Sequence, residues 1–261
     1  MAVINFFREP DLATVADSPG VPLYRQVKRT LIKLIEGGRY APAGCLPSES
    51  VIASSLHVSI GTLRRAVDEL VHENVLVRRQ GKGTFVALHN NDRFLFQFFH
   101  VEKRGLEITN AHEYPAVECV SFERVRASDD EAAALGMRTG DAVFRIYNRL
   151  KLSGRPVVFD RLCISALMFK GLTERRFVER QSTVYHLYQH DFGITVLRAQ
   201  ERARATGATR EVCKVLGVQP DLAVLEVHRV ALTFGEKPVE YRVSTIDTRH
   251  HDYVSLLSKR S

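Results

Sequence analysis

The ten residues VRRQGKGTFV, at positions 77–86, concentrate positive charge on what the pattern predicts to be a narrow β-hairpin. Two β-prone runs flank a tip of sequence QGKG, where the glycines permit positive φ and let the backbone approach a neighbouring surface closely. Because Arg78, Arg79 and Lys82 lie on or beside this tip, the hairpin is suited to binding a polyanion.

A second cationic pattern lies in the run RIYNRLK, where alternate side chains are charged or aromatic. In a β-strand, Arg145, Tyr147, Arg149 and Lys151 would share one face. Burying such a row of cations is costly unless anions lie beside it. The alternatives are therefore a solvent-exposed face or a site that an anionic ligand completes, and the spacing alone favours neither.

Signatures of catalysis and of metal binding are weak. His186 and His190 are spaced as i and i+4, but HLYQH lacks the glutamate of the zinc motif H-E-x-x-H, so the side of an amphipathic helix is the favoured interpretation. The sequence contains no phosphate-binding loop, dinucleotide fingerprint or nucleophile elbow. We therefore predict no metal, no cofactor and no enzymatic activity.

The cysteines and the apolar segments bear on location. The four cysteines are far apart and show no C-x-x-C spacing, which argues against a disulfide framework or a cysteine zinc site and favours a reducing compartment. No run approaches about 18 consecutive apolar residues, and the N-terminus becomes acidic too early for a signal peptide. These features predict a cytoplasmic protein that does not use a membrane as a partner.

The net charge of +7 is unevenly distributed along the chain. Residues 22–86 contain ten Lys and Arg but only five Asp and Glu, a net charge of +5 in a quarter of the sequence. An ordinary solvated face could carry this excess. Its concentration beside the glycine-rich hairpin favours a polyanionic partner instead.

The elements around the hairpin predict a winged helix-turn-helix. Apolar residues at helical spacing predict a first helix from Pro22 to the next glycine pair. Ser48 begins a short second helix, and Ser59 caps a third helix with a continuous apolar stripe. Two short helices joined by a tight turn and followed by a β-hairpin are typical of this motif.

In that motif the third helix lies in the major groove of double-stranded DNA, with its first residues facing base edges. The candidates for contact are Gly61, Thr62, Arg64 and Arg65. Arg64 could bond guanine through two hydrogen bonds or bind phosphate, and Lys82 suits the backbone or a narrow groove. An RNA-binding or structural protein is the alternative, but RNA modules stack bases on exposed aromatic residues, and Phe85 is predicted to face inward.

The segment from PLYRQ to GKGTFV resembles, over about 65 residues, the DNA-binding domain of GntR-family bacterial repressors. We assign this domain to residues 21–87, after a leader over 1–20. The DNA-binding residues that the motif and the resemblance imply are Ser48, Glu49, Ser59, Gly61, Thr62, Arg64, Arg65, Arg79, Lys82 and Gly83. The family usually has arginine where Ser50 and Ile60 stand, so the base-reading groups of this chain differ from those of its relatives.

The rest of the chain contains an internal repeat. LGMRTGDAVFRIYNRLKLSGRPVVFDR begins at Leu135, and LGVQPDLAVLEVHRVALTFGEKPVEYR begins at Leu216. Each copy ends a short helix, turns, and continues as two strands joined by a glycine-containing hairpin. The repeat predicts an α+β domain, an antiparallel sheet with helices on one face. A linker over 88–94 and a buried strand over 93–100 are expected before it.

This half resembles the UTRA effector-binding domain of the HutC-type branch of the same family, which has a chorismate-lyase-like fold, and we assign it to residues 95–257. The resemblance implies that Arg149 and Lys151 hold a phosphate and that carboxylates on later strands bind polar ligand groups. The predicted effector-binding residues are Arg145, Tyr147, Arg149, Lys151, Asp160, Thr183, Tyr185 and Glu240. The expected ligand is a small anionic metabolite.

The two resemblances imply a homodimeric repressor that binds a DNA operator and whose affinity for it is controlled by a small-molecule effector. The alternative is a lyase-like or other small-molecule enzyme in the second half, with the first half serving as a nucleic-acid tether. Fold relatives of the UTRA domain include a lyase, but the sequence offers few candidates for catalytic chemistry.

Overall fold

A computed structural model of the chain describes residues 20–37, 39–40, 44–73, 75–87, 99–105 and 113–255. The chain divides into two compact units, Met1–Leu88 and His89–Ser261. The predicted leader (except Gly20), the predicted linker over 88–94 and most of the predicted strand over 93–100 lie outside the described residues. Within the described ranges, every helix is too short or too polar to cross a membrane.

The first unit contains three helices and a hairpin, as the sequence predicted. Its elements are α1 (Leu23–Glu36), α2 (Glu49–Ser55), α3 (Ile60–His72), β1 (Leu76–Arg79) and β2 (Gly83–Val86). Leu31, Leu63 and Leu70 are completely buried between α1, α3 and the base of the hairpin. Such burial stabilises each helix far more than intrinsic propensity does. The predicted winged helix-turn-helix is therefore confirmed.

Hydroxyl caps fix where two of these helices begin. The Ser48 Oγ accepts a hydrogen bond from the backbone N–H of Val51 at 3.4 Å, and the Ser59 Oγ accepts one from Thr62 at 3.1 Å. Each cap satisfies a backbone donor that has no partner inside its helix. The short turn between the end of α2 at Ser55 and the cap of α3 at Ser59 joins the two helices in the helix-turn-helix arrangement.

The second unit is built on a six-stranded antiparallel sheet of order β4-β5-β6-β9-β8-β7. Its strands are β4 (Ala116–Arg126), β5 (Ala142–Leu152), β6 (Arg155–Ser165), β7 (Arg198–Gly207), β8 (Ala223–Leu232) and β9 (Pro238–Ile246). Two short strands, β3 (Val101–Lys103) and β10 (His251–Tyr253), pair separately. The helices are α4 (Asp129–Leu135), α5 (Glu174–Val178), α6 (Val184–Phe192) and α7 (Arg210–Leu216), with a 3₁₀ turn at Phe234–Glu236.

Helices cover both faces of this sheet, which corrects the prediction of helices on one face. The repeat helices α4 and α7 pack on one face, where Val143, Cys163 and Phe159 are buried against them. Helices α5 and α6 pack on the opposite face, against Ile146 and Leu162. The sequence between the repeats therefore provides a second helical layer, and both sides of the central strands are buried.

The two copies of the repeat are related by an approximate two-fold rotation through the centre of the sheet. In the register of β6 and β9, Asp160 lies opposite Ser244 and Leu162 lies opposite Arg242. Asp160 and Arg242 are 82 residues apart and occupy equivalent positions in their hairpins. Equivalent positions of the duplicated unit thus carry opposite charges on the same face.

Helix α4 begins with a capping box that also binds an arginine. The Glu131 side chain accepts a bond from the Ser128 backbone N–H at 2.9 Å, while the Ser128 Oγ accepts one from the Glu131 N–H. Arg145 donates to the same carboxylate through Nε at 2.9 Å and Nη2 at 2.8 Å. Burial alone would raise the pKa of Glu131, but these donors hold it below its ordinary value.

We expect Glu131→Gln to lower the free energy of unfolding by about 1–3 kcal/mol at pH 7, because hydrogen bonds to a buried charged group are lost. The depressed pKa gives stability that is complete above the unfolded carboxyl's pKa and disappears as pH falls through the folded one. Denaturant unfolding at a series of pH values should therefore show wild type and variant converging in acid. Asp130→Asn, an exposed change in the same helical turn, should change stability far less. A wild-type–variant difference independent of pH would contradict this account.

Candidate nucleic-acid interface and buried polar site

The N-terminal half of α3 presents its polar side chains to solvent. Leu63 and Leu70 face the core, which leaves Arg64 and Arg65 on the exposed side of the helix. The hydroxyl of the cap residue Ser59 also bonds the hydroxyl of Thr62, inside the helix, at 2.8 Å. A third helix with an exposed basic start is the geometry that recognition helices use.

Glu49 makes ion pairs that join three elements of this surface. Its Oε2 accepts from Arg64 Nε at 2.6 Å, and its Oε1 accepts from Arg78 Nη2 at 3.3 Å. Arg78 also pairs with Asp68 on α3. Since a carboxylate repels phosphate, this position suits Glu49 to orienting Arg64 rather than to touching DNA itself.

Two further residues that are predicted to contact DNA have their guanidinium groups over aromatic rings. The Arg65 guanidinium lies over the ring of Tyr24 on α1 at 4.0 Å from its centroid, and that of Arg79 lies over Phe85 at 4.9 Å. Cation–π contacts of this kind restrict a long side chain without neutralising its charge. Both arginines are exposed, so their positive charge remains available to a polyanion.

The hairpin tip depends on its two glycines. Gly81 has φ of +70° and Gly83 has φ of +111°, values that side chains rarely allow. A Cβ on Gly83 would also lie 3.2 Å from the Cys45 Sγ. The Lys82 N–H donates to the Arg79 carbonyl at 2.9 Å and closes the turn. The tip therefore presents an exposed lysine on a thin, tightly turned backbone.

In the second unit, the eight predicted effector-binding residues do not converge. Arg149 Nη2 and Lys151 Nζ both pair with Glu118 on β4, at 2.6 Å and 2.9 Å. Together these two cations hold the pKa of Glu118 below its ordinary value. Tyr147 stacks on Phe159. With Arg145, these residues lie on the face that α4 and α7 cover.

Asp160, Tyr185 and Glu240 lie on the opposite face of the sheet, so the structure does not bring them together with Arg149 and Lys151. Asp160 is directly opposite Asn148, whose side chain points away from that of Arg149, its neighbour on β5. The prediction of an anionic ligand rested on cations that the structure pairs with Glu118.

The face beneath α5 and α6 holds a buried polar network centred on Glu240, whose side chain is 0% exposed. Tyr185 and Tyr188 donate their hydroxyls to its two oxygens at 3.1 Å and 2.7 Å. Arg242 donates to Glu240 through Nε at 2.9 Å and to Asp160 through Nη1 at 3.2 Å. We call this group, with Asn148, the buried polar site.

The buried environment fixes the protonation of this site. Burial raises the pKa of Tyr188, and the charge of Glu240 raises it further, so its hydroxyl keeps its proton. Burial alone would lower the pKa of Arg242, but the charges of Glu240 and Asp160 hold it well above its ordinary value. The Tyr188 hydroxyl and the Arg242 guanidinium therefore remain hydrogen-bond donors to Glu240.

Thr183 lies immediately before α6 and acts as its N-cap. Its Oγ1 accepts from the His186 N–H at 3.1 Å. His186 and His190 stack on the outer turns of the same helix at 5.6 Å between ring centroids. The described residues hold no cluster of three or more His, Cys, Asp or Glu side chains that could bind a metal ion.

Sequence reasoning missed Arg242, Tyr188 and Asn148, as well as a neighbouring pair. Arg229 Nε bonds Glu201 at 2.5 Å on the same face. One available signal was the repeat itself, since Pro156-Val157 in the first copy corresponds to Pro238-Val239 in the second. Aligning the hairpins would have set Asp160 against Arg242.

Comparison with known proteins is consistent with both units. Residues 111–252 match the UTRA domain family, and residues 23–86 match the family described as bacterial regulatory proteins, gntR family. The chain is 25% identical over 244 residues to the HTH-type transcriptional repressor NagR of Bacillus subtilis (strain 168), covering 92% of this chain and 97% of NagR. It is 28% identical over 228 residues to the histidine utilization repressor of Pseudomonas putida, covering 87% and 88%.

A solved structure resembles the second unit. It is the ligand-binding domain of a protein assigned to the GntR-family transcriptional regulators, from Bordetella bronchiseptica. The TM-score is 0.56 at 29% sequence identity, and the match covers 62% of this chain and 98% of that domain.

Proposed function

Because this chain belongs to the UTRA-domain family and carries a gntR-type domain ahead of its UTRA domain, we propose that it is a transcriptional repressor whose binding to operator DNA is controlled by a small molecule. The observation that carries this proposal is the first unit's surface, where a capped, exposed, basic helix start and a glycine-tipped cationic hairpin occur together. The relatives described above are named repressors.

The DNA contacts in this proposal come from residues 21–87. Thr62 and Arg64 face base edges at the start of α3, and Lys82 on the hairpin tip lies against the backbone or in a narrow groove. Glu49 acts through Arg64 by fixing its orientation. The remaining members of the surface are Ser48, Ser59, Gly61, Arg65, Arg79 and Gly83.

Two copies of the chain would read two half-sites about one helical turn apart. Such a homodimer suits a pseudo-palindromic operator. Binding takes place where bacterial DNA is found, in the cytoplasm. Because each copy contributes its own cationic surface, phosphate neutralisation and its salt dependence roughly double on dimerisation.

The effector in this proposal binds residues 95–257 at the buried polar site, against Asp160, Tyr185 and Glu240. Binding changes operator affinity only through a difference in ligand affinity between two conformations. A coupling free energy of about 1–3 kcal/mol would release the operator roughly 5- to 150-fold. The buried network supports this role because a site enclosed by α5 and α6 can couple ligand binding to the packing of those helices.

The proposed DNA binding is tested by fluorescence anisotropy with the full chain and a labelled duplex from the region upstream of its own gene. If the dimer contacts about 6–10 phosphates, affinity should fall roughly 10³- to 10⁵-fold between about 50 and 200 mM salt. RNA of the same sequence should bind much more weakly, since its deep, narrow major groove does not admit a recognition helix.

A scrambled duplex of equal length separates specific from general binding in the same titration. Equal affinity for the RNA and the duplex would favour the RNA-binding alternative. Failure to bind any duplex even at about 50 mM salt would refute the repressor.

A further inference from the structure

The buried polar site contains hydrogen-bonding atoms that the protein itself does not satisfy. Among the described residues of the second unit, the buried atoms without a partner are Asn148 Oδ1, Asp160 Oδ1 and Arg180 Nε. Asn148 and Asp160 are each 2% exposed, so water reaches neither side chain freely. Leaving one such atom unsatisfied costs about 1–3 kcal/mol, and native proteins rarely retain several together.

The two acceptors are neighbours on the sheet. Asn148 on β5 lies directly opposite Asp160 on β6, and Cys119 on β4 lies on the other side of Asn148. Side chains directly opposite each other in an antiparallel pair begin about 4.5–5.5 Å apart and point the same way. The two unsatisfied oxygens therefore face the same space beneath α5 and α6.

The donor is contributed by the segment between those helices. Arg180 follows α5, stacks on Phe177 at 4.6 Å and donates to the Phe177 carbonyl. Burial lowers the pKa of Arg180, with Tyr188, Arg242 and Cys119 as the other groups that act on it. Since Phe177 packs with Ile146 and Leu162 on this face of the sheet, Arg180 lies on the same side of the sheet as the two acceptors. It has no ion pair with any described carboxylate.

The formal charges of the site sum to zero without a ligand, but the positive and negative charges are not all paired with each other. Arg242 is shared by Asp160 and Glu240, which leaves one negative charge in excess, whereas Arg180 carries one positive charge without a carboxylate. Arg229 and Glu201 neutralise each other. A simple anion or a simple cation would therefore upset the balance, and a molecule with both charges would complete it.

We infer that the effector is an amino-acid-type zwitterion, with its ammonium bonded to Asp160 and Asn148 and its carboxylate bonded to Arg180. This inference rests on the proposed role of the second unit as an effector-binding domain. It replaces the expectation of an anionic metabolite, and it assigns recognition roles to Asn148 and Arg180 that the sequence did not indicate.

The ligand class is tested by thermal unfolding of the full chain with three sets of compounds. The first is the twenty L-amino acids in small pools, and the others are matched carboxylates without the amine and matched amines without the carboxylate. At least one amino-acid pool should raise the Tm, because a ligand that binds only the folded state stabilises it, whereas neither matched set should. An equal rise in Tm with the matched carboxylates would overturn the inference, and so would the absence of a rise with every amino-acid pool.

A second experiment measures the Tm of two variants without any ligand. Asn148→Leu removes an unsatisfied acceptor and keeps a branched side chain of four heavy atoms, so the free protein should melt roughly 2–10 °C higher than wild type. The matched control is Gln189→Met, since Gln189 is an equally buried amide whose Nε2 bonds Thr195 at 3.3 Å, and this variant should melt lower. If both variants lower the Tm equally, Asn148 is not an unsatisfied acceptor, and its role in ligand binding is rejected.

Operator binding by the unsubstituted chain, measured on the same preparation, separates the two proposals. If operator binding is normal but no amino-acid pool raises the Tm, the zwitterion proposal is rejected and the repressor proposal stands. Asn148→Leu should also abolish the Tm shift that the successful amino-acid pool gives to wild type.

Discussion

Replacing Arg242 with methionine should lower the free energy of unfolding by about 3–5 kcal/mol, because it leaves two buried carboxylates without a cation. Arg242 bonds Glu240 through two nitrogens, at 2.9 Å and 3.1 Å, and Asp160 through a third, at 3.2 Å. The Asp160 and Glu240 side chains are only 3% and 0% exposed. Methionine retains most of the side-chain stem, so the loss reports charge rather than a cavity. Urea unfolding at pH 7 measures it.

Arg249→Met is the matched control for this prediction. Arg249 pairs with Asp247 at 2.8 Å, but its side chain is 46% exposed, so losing the pair should cost less than about 1 kcal/mol. Adding Glu240→Leu to Arg242→Met should recover part of the loss, since one uncompensated charge is removed. Equal losses from the two single variants would contradict the account of Arg242 as the cation of a buried network.

The first unit could be predicted almost completely because its signals are local. Ser48 and Ser59 are hydroxyl caps that act within three residues, and the glycines of the hairpin act at their own positions. Each of these signals depends on backbone geometry that a short sequence window contains. Glu49 shows where local signals end, because its partner Arg64 is 15 residues away and only the fold brings the two together.

The second unit's strands could be predicted, but their faces could not. The alternation from Arg145 to Lys151 correctly placed four side chains on one face, yet a sequence does not say which face holds a site. That choice depends on pairing between strands, and a shift of one residue reverses it. Helices α5 and α6 lie outside the repeat, so the repeat gave no sign that they cover the other face.

The duplication explains why the buried polar site escaped sequence analysis. Each copy supplies half of it, with Asp160 from the first and Arg242 from the second, and the two-fold relation brings them together across β6 and β9. The first copy alone would bury the Asp160 carboxylate without a cation, whereas Arg242 of the second copy pairs with Asp160 as well as with Glu240 on its own strand. Divergence between the copies, rather than their similarity, is what created a polar site at the centre of the sheet.

Replacing Arg64 with alanine should weaken operator binding roughly 5- to 150-fold per half-site and affect unrelated duplexes much less. The Arg64 side chain is 64% exposed and is held by Glu49 through Nε at 2.6 Å. Because that bond uses only Nε, the two Nη groups remain for the O6 and N7 of a guanine. Restricting the arginine before binding also lowers the entropy lost when it docks. Competition titrations with operator and scrambled duplexes measure both affinities.

Lys82→Ala is the comparison that shows whether Arg64 reads a base. Lys82 is an exposed cation on the glycine tip and presents no planar fork, so its loss should weaken binding to every duplex by a similar factor. It should also reduce the slope of log affinity against log salt by about 1. Arg64→Ala should instead narrow the gap between operator and scrambled sequence. If both variants lower all affinities equally, Arg64 contacts phosphate, and operator recognition must come from other residues at the start of α3.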